Sequence, residues 1–220
     1  MGIRTRVRCL ECNSLERTRL LWLYLEQLDL VHGMRVLHLA PETALSRKLI
    51  ERVGAEHFVP ADFVPENFPD IGHCRRIDLC HLDSEPSEQY DLIVHSHVLE
   101  HVPCTIAYPL FHLHRMLRRG GWHVCVIPFM PGRYEECLED IGDEERARRF
   151  GQSDHVRRFG ADDVADHVGK LLRLPAVYDA RADIPVDLLI GANVPESVWT
   201  GFGTSTVLRL RRDDMVFVTN

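Results

Sequence analysis

Residues 90–129 read YDLIVHSHVLEHVPCTIAYPLFHLHRMLRRGGWHVCVIPF, and their pattern decides the fold. A short, mostly apolar run, residues 91–94, ends in the polar triplet His95-Ser96-His97. A helical repeat follows, with Ile106, Leu110, Leu113 and Leu117 on one face. Gly120-Gly121 stands where a helix end takes a left-handed residue, so the helix is expected to stop there. A second β-rich run, residues 122–127, is closed by Pro128. Strand, helix and strand in this order form a crossover unit whose two strands lie parallel.

On the N-terminal side, residues 14–27 read as a helix with Ser14 as its cap. Leu21, Trp22, Leu25 and Leu28 mark its buried face, and Arg17 and Arg19 lie off it. Gly33 breaks the chain before a first strand, residues 34–39, and the loop from His38 to Thr43 leads into a helix, residues 44–53. A second strand at residues 56–60 precedes Asp62, and a short third strand at 75–79 contains Asp78. Residues 81–89, polar and holding Pro86, form a surface loop. Asp62 stands about twenty residues beyond the first loop, where nucleotide-binding α/β folds place the carboxylate for ribose hydroxyls. A turn residue before Pro65 is the competing role. Beyond residue 129 the charged stretch 133–149 is partly helical, and Tyr134, Glu135 and Glu136 in it are candidate acceptor contacts. A helix at 161–172, a strand at 176–178 and a terminal hairpin of 207–210 with 215–219 are expected, while 184–204 has no assignable pattern.

The chain has 220 residues, enough for one α/β domain with a sizeable core. A single domain over 1–220 is expected, with residues 1–30 as a helical extension carrying Cys9 and Cys12. A net charge of -7 argues against broad binding of nucleic acid. Arg146, Arg148, Arg149, Arg157 and Arg158 read as a solvated face or a local basic patch. The N-terminus lacks the apolar core of a signal peptide, and Leu20–Leu25 is too short to span a bilayer. No membrane partner and a cytoplasmic location are the default expectation. Seven cysteines, odd in number and irregular in spacing, suit a reducing compartment.

Four stretches carry a family resemblance. YDLIVHSHVLEHV with HRMLRRGGWHVCVIP resembles strand 4, its helix and strand 5 of a class I S-adenosylmethionine-dependent methyltransferase. CLECNSLERTRLLWLYL, VLHLAPE and FGQSDHVRRFG resemble a type 11-like subgroup with an Ala-Pro-Glu first loop and an FGQxDHVR segment. The resemblance runs from Cys9 to about Gly160. It implies a Rossmann-like seven-stranded fold, mostly parallel with the last strand antiparallel. It implies S-adenosylmethionine as cofactor and S-adenosylhomocysteine as product. It places His38, Ala40, Pro41 and Glu42 at the first loop, His38 standing where most relatives have an acid. Glu42 either answers the cofactor's cationic group or supports the next helix through its dipole. Asp62 meets the ribose, Phe63 flanks the adenine, Asp78 and the Leu79 amide meet its edge, and His95, Ser96 and His97 lie beside the cofactor. Arg17 or Arg19 either reaches the methionine carboxylate or sits at the surface.

Methyl transfer from a sulfonium asks the protein mainly to align the acceptor. Where the acceptor carries a proton, a neutral imidazole is a suitable base. His155 is the leading candidate, with Gln152, Asp154 and Arg157 around it, and His97 is the second; a structural role for His155 stays open. No metal is expected. Cys9 and Cys12 supply two of the four ligands that structural zinc needs, and His95, His97 and His101 find a matching carboxylate only in Glu100. The expected reaction is therefore methylation of O, N or S on a small-molecule acceptor. An inactive cofactor-binding module, or an enzyme acting on RNA or protein, is the alternative. Oligomeric state is open, a homodimer included.

Overall fold

A computed structural model describes residues 8–10 and 13–216. Cys12 and residues 217–220 lie outside the described residues, so the cysteine pair and the end of the expected hairpin are not placed.

The chain runs α1 (Glu16–Glu26), β1 (Val36–Leu39), α2 (Thr43–Val53), β2 (Phe58–Asp62), β3 (Arg75–Arg76), β4 (Tyr90–Ser96), α3 (Ala107–Met116) and β5 (Leu117–Val126). It continues through β6 (Phe129–Met130), β7 (Glu135–Glu136), α4 (Asp143–Phe150), β8 (Arg157–Gly160), α5 (Val168–Leu171), α6 (Val186–Gly191) and β9 (Val207–Arg211). Six strands form the main sheet in the order β3-β2-β1-β4-β5-β9. All pairs are parallel except β5 with β9. A separate three-stranded sheet has the order β6-β8-β7.

The near-continuous apolar character of the central strands follows from burial on both faces. Leu92 and Val94 of β4 pack with α1 and α2, through Leu20, Leu21, Leu25, Leu45 and Leu49. Ile93 points the other way, into Leu113 and Met116 of α3. Burying each such side chain contributes roughly 1.5–3 kcal/mol. This alternation gives three layers, helix on sheet on helix, with the strand ends free for a ligand.

The structure corrects several expectations. The main sheet has six strands among the described residues, not seven. The antiparallel edge is β9, the first arm of the expected hairpin; Met215 instead makes a lone bridge to Leu172. Helix α3 stops at Met116, before the glycine pair. Gly120-Gly121 sits inside β5, where pairing jumps from Tyr90↔Leu117 to Leu92↔Trp122. A Cβ on Gly121 would lie 2.9 Å from the Arg118 carbonyl oxygen, so the bulge itself requires the glycine. Helix α1 starts after Leu15, which takes the N-cap position expected for Ser14 and makes no side-chain capping hydrogen bond. Residues 161–172 hold only a short 3-10 turn and α5, and residues 176–178 form no strand. The unassigned stretch 184–204 packs on α1: Arg19 donates to the carbonyls of Ala192 and Asn193 at 2.7 and 2.8 Å, and Trp199 is buried in the same core.

Candidate functional site

A cleft of about 720 Å³ opens beyond the carboxyl ends of β1, β2 and β4. Such a position is where open α/β sheets bind ligands. Ala40, Asp62, Phe63, Asp78, Leu79 and His97, six residues expected from the sequence, line it together. Asp62 Oδ1 accepts from the Val64 amide at 2.7 Å, so this residue both makes the turn and faces the cleft. Asp78 accepts from the Cys80 amide and from His81 Nδ1, each at 2.9 Å. Burial alone would raise the Asp78 carboxyl, but these two hydrogen bonds and the His81 charge outweigh it and hold it below the usual range. Phe63 is 53% exposed, with the Arg76 guanidinium 4.9 Å from its ring centre. An apolar ring held at a cleft edge is ready to flank a planar ligand.

The first loop, His38 to Thr43, turns without a glycine. Ala40 has φ 47° and His97 has φ 56°, both left-handed. An L-residue there costs roughly 1–2 kcal/mol, and such strain gathers at functional sites. Ala40 does the turning that glycine does elsewhere, tied by its amide to the Ala61 carbonyl at 3.0 Å. Ala40→Gly should therefore leave stability unchanged or raise it by up to about 1 kcal/mol, the relieved strain exceeding the added chain entropy. Urea denaturation checks this; a loss of about 1 kcal/mol or more would show that the methyl group packs productively.

Other expected residues lie elsewhere. Pro41 is buried and does not line the cleft. Glu42 sits at the start of α2 and accepts a hydrogen bond from Thr18 of α1. Arg17 does not line the cleft, and Arg19 holds the 184–204 segment. His38 is fully buried with Nδ1 3.2 Å from Ser46 Oγ, and burial pushes its pKa down to about 3. Ser96 is buried at the end of β4.

His95 belongs to a histidine chain that crosses the sheet. His95 Nε2 lies 2.9 Å from His123 Nε2, His123 Nδ1 lies 3.1 Å from His114 Nε2, and His114 Nδ1 lies 3.1 Å from the Arg212 carbonyl. The carbonyl can only accept, so the terminal contact fixes every tautomer. His114 Nδ1–H donates to it, His123 Nδ1–H donates to His114, and His95 Nε2–H donates to His123. His95 Nδ1 is left with a lone pair and no hydrogen-bond partner among the described residues.

The opposite end of the cleft is lined by His97, His101 and Asp154. His97 Nε2 lies 2.9 Å from the Thr204 carbonyl, and Nδ1 lies 3.2 Å from Glu100 Oε1. Neither nitrogen offers a lone pair to the cleft. The Glu100 contact is an ion-pair distance without hydrogen-bond alignment, since both Glu100 oxygens lack an aligned donor. Glu100 is 1% exposed; burial would raise its carboxyl, but His97 and then His101 outweigh this and hold it low. Asp154 pairs with His101 Nδ1 at 3.2 Å. His155, 8% exposed, sits behind His101, with ring centres 4.6 Å apart. Its Nδ1 lies 3.1 Å from the Phe150 carbonyl, and burial, then His101, depress its pKa. His155 is thus a buried group that does not itself line the cleft. Tyr134, Glu135 and Glu136 serve hydrogen bonds and ion pairs along β7 and β8.

Sequence reasoning missed Arg157 as a structural centre. Its side chain is 0% exposed and donates to the carbonyls of Leu99, Val102 and Cys104 and to Glu136. The one available signal was its place beside Val156 and Phe159 in an alternating run. Cleft residues Val98, Val102 and Pro103 carried no signal. A second cleft, about 680 Å³ between α1 and α2, is lined by Arg19 but by none of His38, Ala40, Asp62, Phe63, Asp78, Leu79 or His97.

No protein-family model and no curated protein matches this chain. Solved structures do. An S-adenosylmethionine-dependent methyltransferase from Mesorhizobium loti aligns with TM-score 0.52 and 16% identity over 85% of this chain and 94% of that one. A complex from Haloferax volcanii, of the Trm112 methyltransferase activator with a protein described as a methyltransferase, aligns with TM-score 0.53 and 13% identity over 88% of each chain. At these identities the likeness is one of fold: the α/β architecture of this chain is like that of these two structures.

Proposed function

We propose that this chain is an S-adenosylmethionine-dependent methyltransferase acting on an O, N or S atom of a small-molecule acceptor. The observation that carries the reading is the cleft at the strand ends, which joins Ala40, Asp62, Asp78 and His97 although they come from separate loops. S-adenosylmethionine, when bound, supplies a methyl group already activated on a sulfonium. Asp62 accepts from ribose hydroxyls, Asp78 and the Leu79 amide hold the adenine edge, and Phe63 covers its face. The strained turns at Ala40 and His97 bring backbone close to the ligand. The acceptor lies toward His97, His101 and Asp154. Its small size is supported by the fate of the arginine cluster. Arg148, Arg149 and Arg158 pair with Glu145 and Glu135, Arg146 donates to carbonyls, and Arg157 is buried. Little basic surface from this cluster remains for a nucleic acid.

Asp62→Ala should weaken S-adenosylmethionine and S-adenosylhomocysteine binding by roughly 1–3 kcal/mol, about 5- to 150-fold. Asp62→Asn keeps an acceptor for the Val64 amide and so separates the turn from the ligand contact. Calorimetry on both variants decides it. Unchanged affinity removes Asp62 from the ribose, and a wild-type chain that binds neither compound at millimolar concentration sinks the proposal.

A further inference from the structure

Behind the acceptor end of the cleft, three side chains present ligand atoms to one small volume. Glu100, His101 and His155 each offer one atom, and all three atoms lie within 4.8 Å of one another. Two of the three residues are more than nine-tenths buried. Glu100 Oε1 and Oε2 and His155 Nε2 are buried without an aligned hydrogen-bond partner among the described residues. Glu100 Oε1 also stands 3.2 Å from His97 Nδ1, but Oε2 and His155 Nε2 have no partner among the described residues; leaving such groups unsatisfied is costly, and their convergence suits a cation.

The imidazole tautomers agree. The Phe150 carbonyl can only accept, so His155 Nδ1 carries the proton and Nε2 keeps its lone pair. Asp154 does the same for His101 through Nδ1 at 3.2 Å. A carbonyl or carboxylate behind each ring is the usual support of a metal-binding histidine. The backbone fixes the cluster as well. The Val156 amide donates to the Glu100 carbonyl at 3.0 Å, and Arg157 clamps the carbonyls of Leu99, Val102 and Cys104. The turn bearing Glu100 and His101 is thereby zipped to the strand that follows His155.

We propose that Glu100, His101 and His155 form a binding site for one divalent first-row metal ion beside the cleft. Two imidazoles and one carboxylate suit Zn²⁺, Fe²⁺ or Co²⁺ better than Mg²⁺ or Ca²⁺, which take all-oxygen ligand sets. Ligands at about 2.0–2.2 Å from a tetrahedral ion stand roughly 3.4 Å apart, so side-chain rotations of about an ångström close the set. His101 also lines the cleft, so the ion's open position faces it. Resting on the methyltransferase reading, that position takes an oxygen or nitrogen of the acceptor and holds it in line. No metal was expected from the sequence because more than fifty residues separate His155 from the Glu100-His101 pair.

The test uses the full chain, stripped with chelator and titrated with Co²⁺ and Zn²⁺ in the absence of cofactor. One equivalent should bind, and the Co²⁺ form should show d–d absorption without a thiolate charge-transfer band. A variant carrying Cys9→Ser, Cys12→Ser and Cys125→Ser should bind as wild type, which separates the site from the N-terminal pair and from the buried His95, His123 and Cys125 group. His101→Ala, at a half-buried position, and Glu100→Gln, which keeps its shape, should each weaken binding by about 100-fold or more, above the usual loss for a supporting residue. Melting curves of both variants confirm that they are folded. Absence of uptake at millimolar metal, a thiolate band lost in the cysteine variant, or wild-type affinity in both folded variants would each overturn the proposal. Cofactor calorimetry runs separately, so failure of the metal site and failure of the methyltransferase reading are distinguishable.

Discussion

Stability should drop steeply as the pH falls below about 6.5, well before carboxylates protonate. Four fully buried histidines cause this: His38, His95, His114 and His123. Burial is the leading cause in each. It lowers His95 to about 4 and His38 to about 3, takes His123 well below its ordinary value, and lowers His114 in part. A histidine whose folded pKa is depressed binds its proton first in the unfolded chain. Its contribution is fully present above the unfolded value of about 6.5 and is lost as the pH falls toward the folded value. Each such group removes up to about 1.4 kcal/mol per pH unit, so together they cost on the order of 5 kcal/mol between pH 6.5 and 5. That is comparable to the whole stability of a typical domain. The urea midpoint should be flat from pH 8 to about 7 and then fall sharply. Imidazole proton resonances of the four should not titrate before unfolding. A midpoint that stays level down to pH 5, or a free titration of these rings near 6.5, would show that the chain is hydrated and not sealed.

Replacing Arg157 by Ala should destabilise the fold by about 3 kcal/mol, through the loss of a fully buried side chain and its hydrogen bonds to three carbonyls and to Glu136. The loss has two parts. Glu136 loses the partner that approaches at 2.8 Å, the Cys104 carbonyl loses its donor, and the carbonyls of Leu99 and Val102 are left with one backbone amide each. Each buried acceptor left without a partner costs about 1–3 kcal/mol, only part of which water can recover. Arg157→Lys should rescue little, since one ammonium cannot reproduce a planar fork. Arg148→Ala, which removes an exposed pair with Glu145, should change stability by less than about 0.5 kcal/mol. Denaturation midpoints of the three variants test this. Equal effects for Arg157 and Arg148 would mean the burial is not maintained in solution.

These two expectations differ in how far the sequence announced them. The parallel core was legible: β1, β2, β4 and β5 lie close to where the apolar runs put them, because strand burial leaves a local signature. Asp62 was legible too, since its distance from the first loop fixes its place at the sheet edge, while Asp78 was placed through the family resemblance; both line the cleft. Gly120-Gly121 was misread because a left-handed glycine serves a helix end and a β-bulge equally well. The 184–204 segment was unreadable because its packing partner, α1, lies far away in the chain.

The sequence by itself therefore determined the layered α/β sheet and which residues gather at its strand ends in the cleft. Periodicity and spacing record interactions between near neighbours, and those features depend on little else. Tertiary structure alone decided that Arg157 is buried while Arg148 is solvated, although both sit in the same run of charge. It alone decided that His95, His114 and His123 join into one chain, and that Glu100 and His101 meet His155. Each of these depends on which backbone carbonyls and which distant rings the folded chain brings within about 3 Å, the range of a hydrogen bond, and no local pattern of residues encodes that distance.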